Sequence, residues 1–288
     1  MRRIIFFILV TCTAKSSLAQ LTPLKSQYFS NPYLVNPAMA GKEEEKTNIF
    51  INYSSQWNKI EGSPALMSLS ANTALSEQVG VGINLISDKA GLLRRTQAMG
   101  SFAYKLPLGD EQGIRFGISL AWTREQLDLG EASGAGSEDP ALSNFNNKRK
   151  SLIDGNFGIA YINNALEVQF SYLNLNQKRS NEFSTVDYST FYSAASYEFN
   201  REESFSIKPL VAFRGIKGYK NQWDVASEFS FNQTLSLYTM YHSNQSFSGG
   251  AGYEYAESLK VSLMYNSEPS KVRGFTGGVI DLTVGYGF

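Results

Sequence analysis

The sequence predicts an all-β chain that folds into a transmembrane antiparallel β-barrel of about fourteen strands. Three observations support this fold: apolar residues recur at every second position, long and short connections alternate, and the chain stops on an aromatic residue, Phe288. Period-two alternation gives a strand one apolar and one polar face. In an outer-membrane barrel, one of these faces meets lipid and the other meets the lumen.

Residues 1–19 have the features of a secretory signal peptide. Two arginines precede an apolar run over residues 4–10, and a small-x-small cleavage site ends at Ala19. The run is too short to cross a bilayer, which takes roughly 20 apolar residues. A lipoprotein signal with Cys12 as the lipid-bearing residue is the alternative, but Thr11 stands where Gly or Ala is expected. We therefore predict Sec-dependent export to the outer membrane.

The composition excludes several classes of function. Lys and Arg together number 26, as do Asp and Glu, so no net charge is available to attract nucleic acid. The single cysteine, Cys12, lies in the predicted signal peptide. The mature chain therefore has no disulfide, thiolate nucleophile or Cys-based metal site. We predict no nucleic-acid partner and no cofactor, and we expect outer-membrane lipid around the barrel.

Residues 20–46 precede the first strand, and we predict that they form a periplasmic segment. Two Asn-Pro pairs lie within it, and each favours a turn or an extended entry. The apolar residues between the pairs are poorly suited to water. The segment is therefore either a leader packed against the periplasmic mouth or a partial plug or docking element. The candidate partner-binding residues are Asn31, Pro32, Tyr33, Asn36, Pro37 and Gly41.

Residues 47–288 contain the alternating segments of the barrel. A soluble β-sandwich would also alternate, but the apolar face here is rich in Tyr, Phe and Trp near strand ends, as in aromatic girdles. Proline cannot donate to a strand ladder, so Pro209 predicts a bulge or a strand break. A change of phase between Tyr192 and Tyr197 also predicts a bulge. The weaker strand candidates are residues 47–57, 64–75, 185–199 and 203–214. Positions assigned to the lumenal face include Gly80, Gly82, Arg115, Gly117, Asp224 and Asp281.

The connections predict the orientation of the barrel. Those near residues 76–77 and 232–233 are short, whereas 88–93 and 128–150 belong to the long set. Outer-membrane barrels have short periplasmic turns and longer extracellular loops, so both termini are predicted to be periplasmic. The last strand is expected to pair with residues 47–57 and close the barrel. Its outward residues resemble an aromatic-ended signal for membrane insertion: Val284, Tyr286 and Phe288.

Residues able to carry catalysis are few. The chain has one histidine, His242, at a predicted strand end. A Ser-His-Asp or Ser-His-Asn site on a barrel, as in an outer-membrane lipase, would need it as the base. No Gly-x-Ser-x-Gly turn accompanies it, and no Asp-x-Asp-x-Asp-Gly calcium loop appears. We therefore predict no catalytic residue, no metal site and no enzyme activity.

The first third of the mature chain resembles a known family. The Asn-Pro segment over residues 27–41 is similar to the opening signature of the PorP/SprF family of outer-membrane proteins. The remaining part of the chain shares only the barrel pattern. The other motifs that carry the resemblance are Gln56-Trp57, Gly62-Ser63-Pro64, the strand and turn over residues 79–91, Tyr104, Leu106 and Leu108-Gly109.

This resemblance implies a non-enzymatic barrel of type IX secretion and gliding motility in Bacteroidota. Family members are required for the export or surface anchoring of a specific cargo protein, such as an adhesin. The implied partner is a type IX-secreted cargo protein. The sequence leaves open whether a periplasmic lipoprotein or peptidoglycan-linked component also binds. An outer-membrane pore or small-solute transporter is the alternative, because a barrel of this size can conduct unless it is plugged.

Overall fold

The computed structural model describes residues 26–43, 46–56, 63–127, 150–176, 190–216, 220–268 and 277–288. Within these residues, fourteen antiparallel strands close into one barrel, which confirms the predicted fold class. The predicted signal peptide, residues 1–19, lies outside the described residues. No helix in the described part of the chain is long and apolar enough to span a membrane.

The strands follow one another around the barrel in chain order. They are β1 (Thr47–Gln56), β2 (Ala65–Ala74), β3 (Val79–Ala90), β4 (Leu93–Gly109), β5 (Gln112–Leu127), β6 (Lys150–Asn163), β7 (Leu166–Leu173), β8 (Thr190–Tyr197), β9 (Phe205–Ile216), β10 (Gln222–Phe231), β11 (Leu235–His242), β12 (Ser246–Tyr255), β13 (Leu259–Asn266) and β14 (Val279–Gly287). From residue 26 onwards, three short helices precede β1: α1 (Gln27–Ser30) and the 3₁₀ helices η1 (Pro32–Leu34) and η2 (Pro37–Met39).

The barrel closes between its first and last strands, as predicted. β1 and β14 pair from Asn48↔Gly287 to Gln56↔Val279. One residue beyond β14, Phe288 still exchanges two backbone hydrogen bonds with Thr47, of 2.8 and 3.1 Å. The side chain of Phe288 points outward and packs against Tyr286, with ring centroids 5.8 Å apart. The aromatic end of the chain therefore lies on the outer surface at one rim.

Alternation along each strand separates the two faces of the wall. On β13, the outward residues Val261, Leu263 and Tyr265 are exposed, whereas Ser262 and Met264 between them are buried in the lumen. Because an antiparallel strand turns successive side chains to opposite faces, the apolar surface faces away from the lumen without any long apolar run in the sequence.

The two rims of the barrel differ in their connections. The rim where β1 begins and β14 ends, here the terminal rim, has the connections 75–78, 110–111, 164–165, 198–204, 232–234 and 256–258. The opposite rim, here the loop rim, includes the connections 128–149, 174–189 and 267–278. One expectation is wrong, because β3 and β4 pair as far as Ala90↔Leu93 and the long connection expected at 88–93 is a tight turn. The orientation with both termini in the periplasm remains a prediction.

The irregularity expected at Pro209 is absent. β9 runs unbroken through this residue and pairs with β10 in one register. On its other side, the ladder with β8 stops at Ser196↔Leu210, next to the proline, and one bridge, Phe199↔Ile207, follows in the same register. The residue that cannot donate a ladder hydrogen bond therefore lies in a gap of this pairing, and β9 itself needs neither a bulge nor a break.

The bulge expected between Tyr192 and Tyr197 is also absent. β8 keeps one phase, with Tyr192, Ala194 and Ser196 buried on the lumenal face, and its register with β7 is continuous. The alternation seemed to shift because Tyr192 is an aromatic residue on the lumenal face. There its ring packs edge-on against Tyr28, with centroids 5.5 Å apart.

Candidate functional site

Residues 26–42, here called the lumenal segment, lie inside the barrel. Nearly all of them are buried; Phe29, Ser30, Pro32 and Lys42 are partly exposed. Of the two alternatives drawn from the sequence, the partial plug matches these contacts and the leader at the mouth does not. Residues 26–42 therefore occupy the lumen, and Glu43 and Lys46 are exposed beyond them. The periplasmic position of residues 20–46 stays a prediction.

The two Asn-Pro pairs start the two 3₁₀ helices of the lumenal segment. Pro32 and Pro37 stand at the first helical position, where a missing N–H costs nothing. The Asn36 side chain caps η2 by accepting from Ala38 N–H at 3.0 Å. The Asn31 side chain makes no cap and instead donates to Ser70 Oγ on β2 at 2.8 Å. The repeated dipeptide therefore has one backbone role and two different side-chain roles.

Wall glycines make room for residues 36–41, here called the seat segment. A Cβ at Gly117 on β5 would lie 2.5 Å from Ala38 Cα, and Cβ atoms at Gly80 and Gly158 would overlap Ala40 and Asn36. Real Cβ atoms essentially never approach other atoms so closely, so these contacts require glycine. The seat segment thus packs its own backbone against the backbone of β3 and β5, and the side chains of Asn36 and Pro37 against the backbone of β6.

Polar side chains of the wall hold the same segment. The buried Arg115 donates to Ala38 O at 2.8 Å and to Ala40 O at 2.6 Å. Asn72 Oδ1 accepts from the N–H of Gly41 at 3.1 Å; Gly41 has φ +60°. Two carbonyls and one N–H that lack helical partners are satisfied in this way.

The other end of the lumenal segment meets buried charge. The hydroxyl of Tyr28 donates to Asp224 Oδ2 on β10 at 2.7 Å, and Arg214 Nε on β9 donates to the same oxygen at 2.8 Å. The Arg214 guanidinium also stacks over the Tyr28 ring, 4.9 Å from its centroid. Both charged residues are buried, so the ion pair balances charge that water cannot reach.

A row of polar side chains extends from Asp224 across the next four strands; its members are Asp224 (β10), His242 (β11), Ser248 (β12), Asn266 (β13) and Asp281 (β14), here called the belt. Each member is hydrogen-bonded to the next at 2.5 to 2.8 Å. Ser26 Oγ donates to the last member, Asp281, at 2.7 Å. The lumenal segment therefore touches both ends of the belt, through Tyr28 and Ser26.

A cavity of about 190 Å³ lies between the lumenal segment and the terminal rim. Its wall residues, such as Phe50 near the start of β1 and Lys260 near the start of β13, place it in that half of the barrel. Lys260 lies 3.7 Å from Glu228, and Lys42 pairs with Glu167. Residues 28–33 form the roof of this space. The lumenal segment thus stands across the lumen, with a hollow space between it and the terminal rim.

Burial changes the acidity of two phenols in the lumenal segment. It raises the pKa of Tyr33 to about 12, although the hydrogen bond to Ser101 Oγ, of 2.8 Å, acts in the opposite direction. Burial also raises the pKa of Tyr28 well above its ordinary value, with Arg214 acting against the shift. Both phenols therefore remain neutral donors at physiological pH.

Comparison with protein families decides what kind of barrel this is. The chain matches the model for the type IX secretion system membrane protein PorP/SprF over residues 17–286, which is most of its length. It belongs to the PorP/SprF family. A search of curated proteins finds no match.

Solved structures that resemble this PorP/SprF protein share its fold alone. The P. putida toluene transporter TodX has a TM-score of 0.52 and 11% identity, over 89% of this chain and 93% of that chain. The Acinetobacter baumannii outer membrane protein Omp33 has a TM-score of 0.49 and 7% identity, over 85% of this chain and 99% of that chain. At 11% identity, the likeness to TodX supports a shared β-barrel fold and no shared ligand.

The six candidate partner-binding residues of this PorP/SprF protein all lie in the lumenal segment, and five of them are buried, Pro32 being half-buried. In this conformation they hold the segment against the wall, so contact with a partner stays a prediction. The residues of the predicted insertion signal lie elsewhere, on the outer face of the last strand: Tyr286 and Phe288 are exposed and Val284 is half-buried.

His242 sits in an arrangement that resembles a Ser-His-Asp triad. Its Nε2 lies 2.8 Å from Ser248 Oγ and its Nδ1 lies 2.5 Å from Asp224 Oδ1. The Ser248 hydroxyl, however, donates to Asn266 Oδ1 at 2.5 Å, and Ser248 and His242 are only 2% and 3% exposed. A nucleophile needs a free path to substrate and a proton directed at its base. Here the three residues belong to the belt.

Several residues of this site were not singled out from the sequence. Alternation assigned Arg115, Gly117, Asp224 and Asp281 to the lumenal face, but nothing local connects them with the lumenal segment. Ser26 and Tyr28 carry no motif of their own. The one available signal is glycine at alternate positions of strands that are otherwise β-branched and aromatic, because a strand glycine often marks close backbone approach. In the described residues, no cluster of three or more His, Cys, Asp or Glu could hold a metal ion.

Proposed function

We propose that this protein is a non-enzymatic outer-membrane barrel that is needed for the export or surface anchoring of a specific type IX-secreted cargo protein, such as an adhesin of gliding motility. The observation that carries the proposal is the lumenal segment. Its hydrogen bonds reach β2, β4, β5, β6, β7, β10 and β14, so it is held around most of the wall. A barrel closed by its own chain suits a binding scaffold better than a diffusion pore.

The rims are the surfaces left for partners. We propose that the terminal rim faces the periplasm and the loop rim faces the cell exterior, since short turns are typical of the periplasmic side. Cargo would then bind at the loop rim. A periplasmic lipoprotein or peptidoglycan-linked component would bind at the terminal rim, near the exposed Glu43 and Lys46. The candidate residues from Asn31 to Gly41 would meet a partner only if the segment left the lumen.

Deletion of the gene tests the proposal. Surface display of one or a few type IX-secreted proteins should be lost, while other outer-membrane proteins remain, and the wild-type gene should restore display. Purification of the tagged barrel from cross-linked cells should then recover those same proteins. Normal display of every secreted protein in the deletion strain would contradict the proposed role.

Conductance separates this role from the alternative of a pore or small-solute transporter. The purified protein in a planar bilayer should pass little steady current, because the lumenal segment fills the passage on the β3 to β7 side and roofs the cavity on the other. Large steady currents from the wild-type protein would favour the pore. A matched variant, Gly117→Val, should conduct more than the wild type, since it disturbs the seat segment alone.

A further inference from the structure

The belt and the lumenal segment form a closed ring of hydrogen bonds. From Tyr28 the ring passes through the five belt residues and returns to Ser26, only two residues from its start. Five consecutive strands each supply one member. Each member has a fixed number of donors and acceptors. The direction of one hydrogen bond in the ring therefore constrains the direction of the next.

The direction can be followed from Asp281. An ionised carboxylate only accepts, so Ser26 Oγ and Asn266 Nδ2 must both donate to it, at 2.7 Å each. The Asn266 amide is thereby oriented, and its Oδ1 accepts from Ser248 Oγ at 2.5 Å. The Ser248 hydroxyl has one proton, which it donates to Asn266. Its oxygen must therefore accept the hydrogen bond from His242 Nε2–H.

The other ring nitrogen meets a second carboxylate. His242 Nδ1 lies 2.5 Å from Asp224 Oδ1 and 3.2 Å from Gln222 Nε2. The Gln222 amide makes its shorter contact with Asp224 Oδ1, to which it donates at 2.8 Å, so the carboxylate is the nearer partner of Nδ1. A neutral imidazole carries one N–H only, yet here both ring nitrogens face an acceptor. We infer that His242 is an imidazolium in the folded protein and that the belt it completes is a latch for residues 26–31, the first half of the lumenal segment.

The buried charges agree with this assignment. Arg214 and protonated His242 carry two positive charges, and Asp224 and Asp281 carry two negative charges, while the phenols of Tyr28 and Tyr192 are neutral. All four charged groups are buried, so a balanced set avoids a net charge shielded from water. If the hydrogen bonds ran in the opposite direction, the proton would lie on Asp281 and not on His242, and the protonation of the His242 ring nitrogens distinguishes the two states.

The latch acts on one half of the lumenal segment. Residues 26–31 reach the wall through side-chain ends, at Ser26, Tyr28 and Asn31. The seat segment, in contrast, packs its backbone on the wall and is clamped by Arg115. Loss of the latch should therefore free residues 26–31 while residues 36–41 stay in place. The space so opened would join the cavity below and extend towards the loop rim along β10 to β14.

Nitrogen NMR on the full-length mature barrel tests the charge directly. His242 is the single histidine of the chain, so ring-labelled histidine reports on this residue alone. Both ring nitrogens should show the shift and one-bond proton coupling of a protonated nitrogen at neutral pH. One nitrogen with the signal of an unprotonated ring position would overturn the inference.

Hydrogen exchange by segment tests the latch. His242→Gln keeps a polar side chain but removes the charge, and exchange in residues 26–31 should rise about tenfold or more, as expected for a lost charged hydrogen bond. Exchange in residues 36–41 should stay unchanged. Tyr241→Phe, on the neighbouring outward position of β11, is the matched control and should change neither segment.

Two further variants keep the test decisive if His242→Gln fails to insert. Ser248→Ala breaks the belt in its middle, and Tyr28→Phe removes only the hydroxyl that the lumenal segment donates to Asp224. Each should raise exchange in residues 26–31 and spare residues 36–41. Equal protection of residues 26–31 in all three variants, or loss of protection in both segments together, would show that the belt is not a latch.

Discussion

The two halves of the lumenal segment are held by opposite means. The seat segment, residues 36–41, lies against glycines, and its carbonyls accept from Arg115. Residues 26–31 are held by hydroxyls and an amide that end on buried polar groups, two of which are carboxylates. The seat segment therefore depends on side chains that the wall lacks, whereas residues 26–31, the first half, depend on charges and protons that the wall carries.

This difference predicts how each half responds to change. Steric contact between two backbones cannot relax when a side chain is added, because backbone atoms on both sides are tied into strands or helices. Side-chain hydrogen bonds to buried carboxylates can be broken one at a time, although each break leaves a buried polar group without its partner. The seat segment should therefore fail abruptly on substitution of its glycines, and the first half should loosen by degrees.

The largest effect is expected for Gly117→Val. Its Cβ would lie 2.5 Å from Ala38 Cα, with Pro37 and Ala38 backbone atoms also in the way. Overpacking typically costs 1–3 kcal/mol, and here about 3 kcal/mol or more is expected because the obstacle is backbone. Denaturant unfolding in lipid vesicles measures the free energy, and hydrogen exchange should show lost protection in residues 36–41.

Gly100→Val is the matched control for this variant. Gly100 is a glycine of β4 that faces outward and has no atom within 4 Å of a Cβ position. Valine suits an exposed strand position, so the free energy of unfolding should change by less than about 0.5 kcal/mol. Equal losses in the two variants would mean that the glycines matter for the strands and not for the seat.

The barrel itself could be predicted from the sequence because its causes are local. Alternation within each strand fixes which side chains face lipid, and connections set which strands neighbour each other. Closure of β1 on β14 followed from the pattern that persists to Phe288. Tyr192 was misjudged because an aromatic residue was assumed to face lipid, whereas this one packs inside against Tyr28.

The lumenal site could not be predicted because its contacts are distant in sequence. Arg115 and Ala38 are separated by 77 positions, Tyr28 and Asp224 by 196, and Ser26 and Asp281 by 255. No local periodicity records such pairs. Alternation did assign Arg115 and Asp224 to the lumenal face. The direction of these side chains was therefore predictable, but their partners in the lumenal segment were not. His242 was considered only as a catalytic base for the same reason.

Arg115→Met should give the next largest effect. The substitution keeps much of the side-chain volume but leaves Ala38 O and Ala40 O without their donors. Each unsatisfied buried carbonyl costs about 1–3 kcal/mol, and partial relaxation of the loop suggests a total of about 2–3 kcal/mol. Denaturant unfolding measures this loss of unfolding free energy. Arg201→Met, at an exposed turn position on the terminal rim, should cost under about 1 kcal/mol.

A double-mutant cycle sharpens the comparison between the halves. If the seat segment and the latch are independent, the losses of Arg115→Met and Tyr28→Phe should add within about 0.5 kcal/mol. A strong interaction energy between them would show that the lumenal segment detaches as one unit, which would contradict a division into two halves.

The smallest expected effect concerns Tyr33, which lies between the two halves. Its hydroxyl donates to Ser101 Oγ at 2.8 Å, and burial raises its pKa to about 12. A tyrosine in the unfolded chain loses its proton near pH 10, so the folded state holds this proton more tightly. The resulting stability is fully present below about pH 10 and is lost as the pH rises towards 12.

Tyr33→Phe should remove this alkaline dependence. At neutral pH the variant loses one buried hydrogen bond, at a cost of about 1 kcal/mol. Between about pH 10 and 12, the free energy of unfolding of the variant should fall less steeply than that of the wild type. The reason is that the variant lacks the Tyr33 phenol, whose pKa is raised in the folded state. Tyr253→Phe, on the exposed outer face of β12, should keep the wild-type slope. Parallel curves for Tyr33→Phe and the wild type would place the Tyr33 hydroxyl in contact with water, and the roof over the cavity would then be open at this residue.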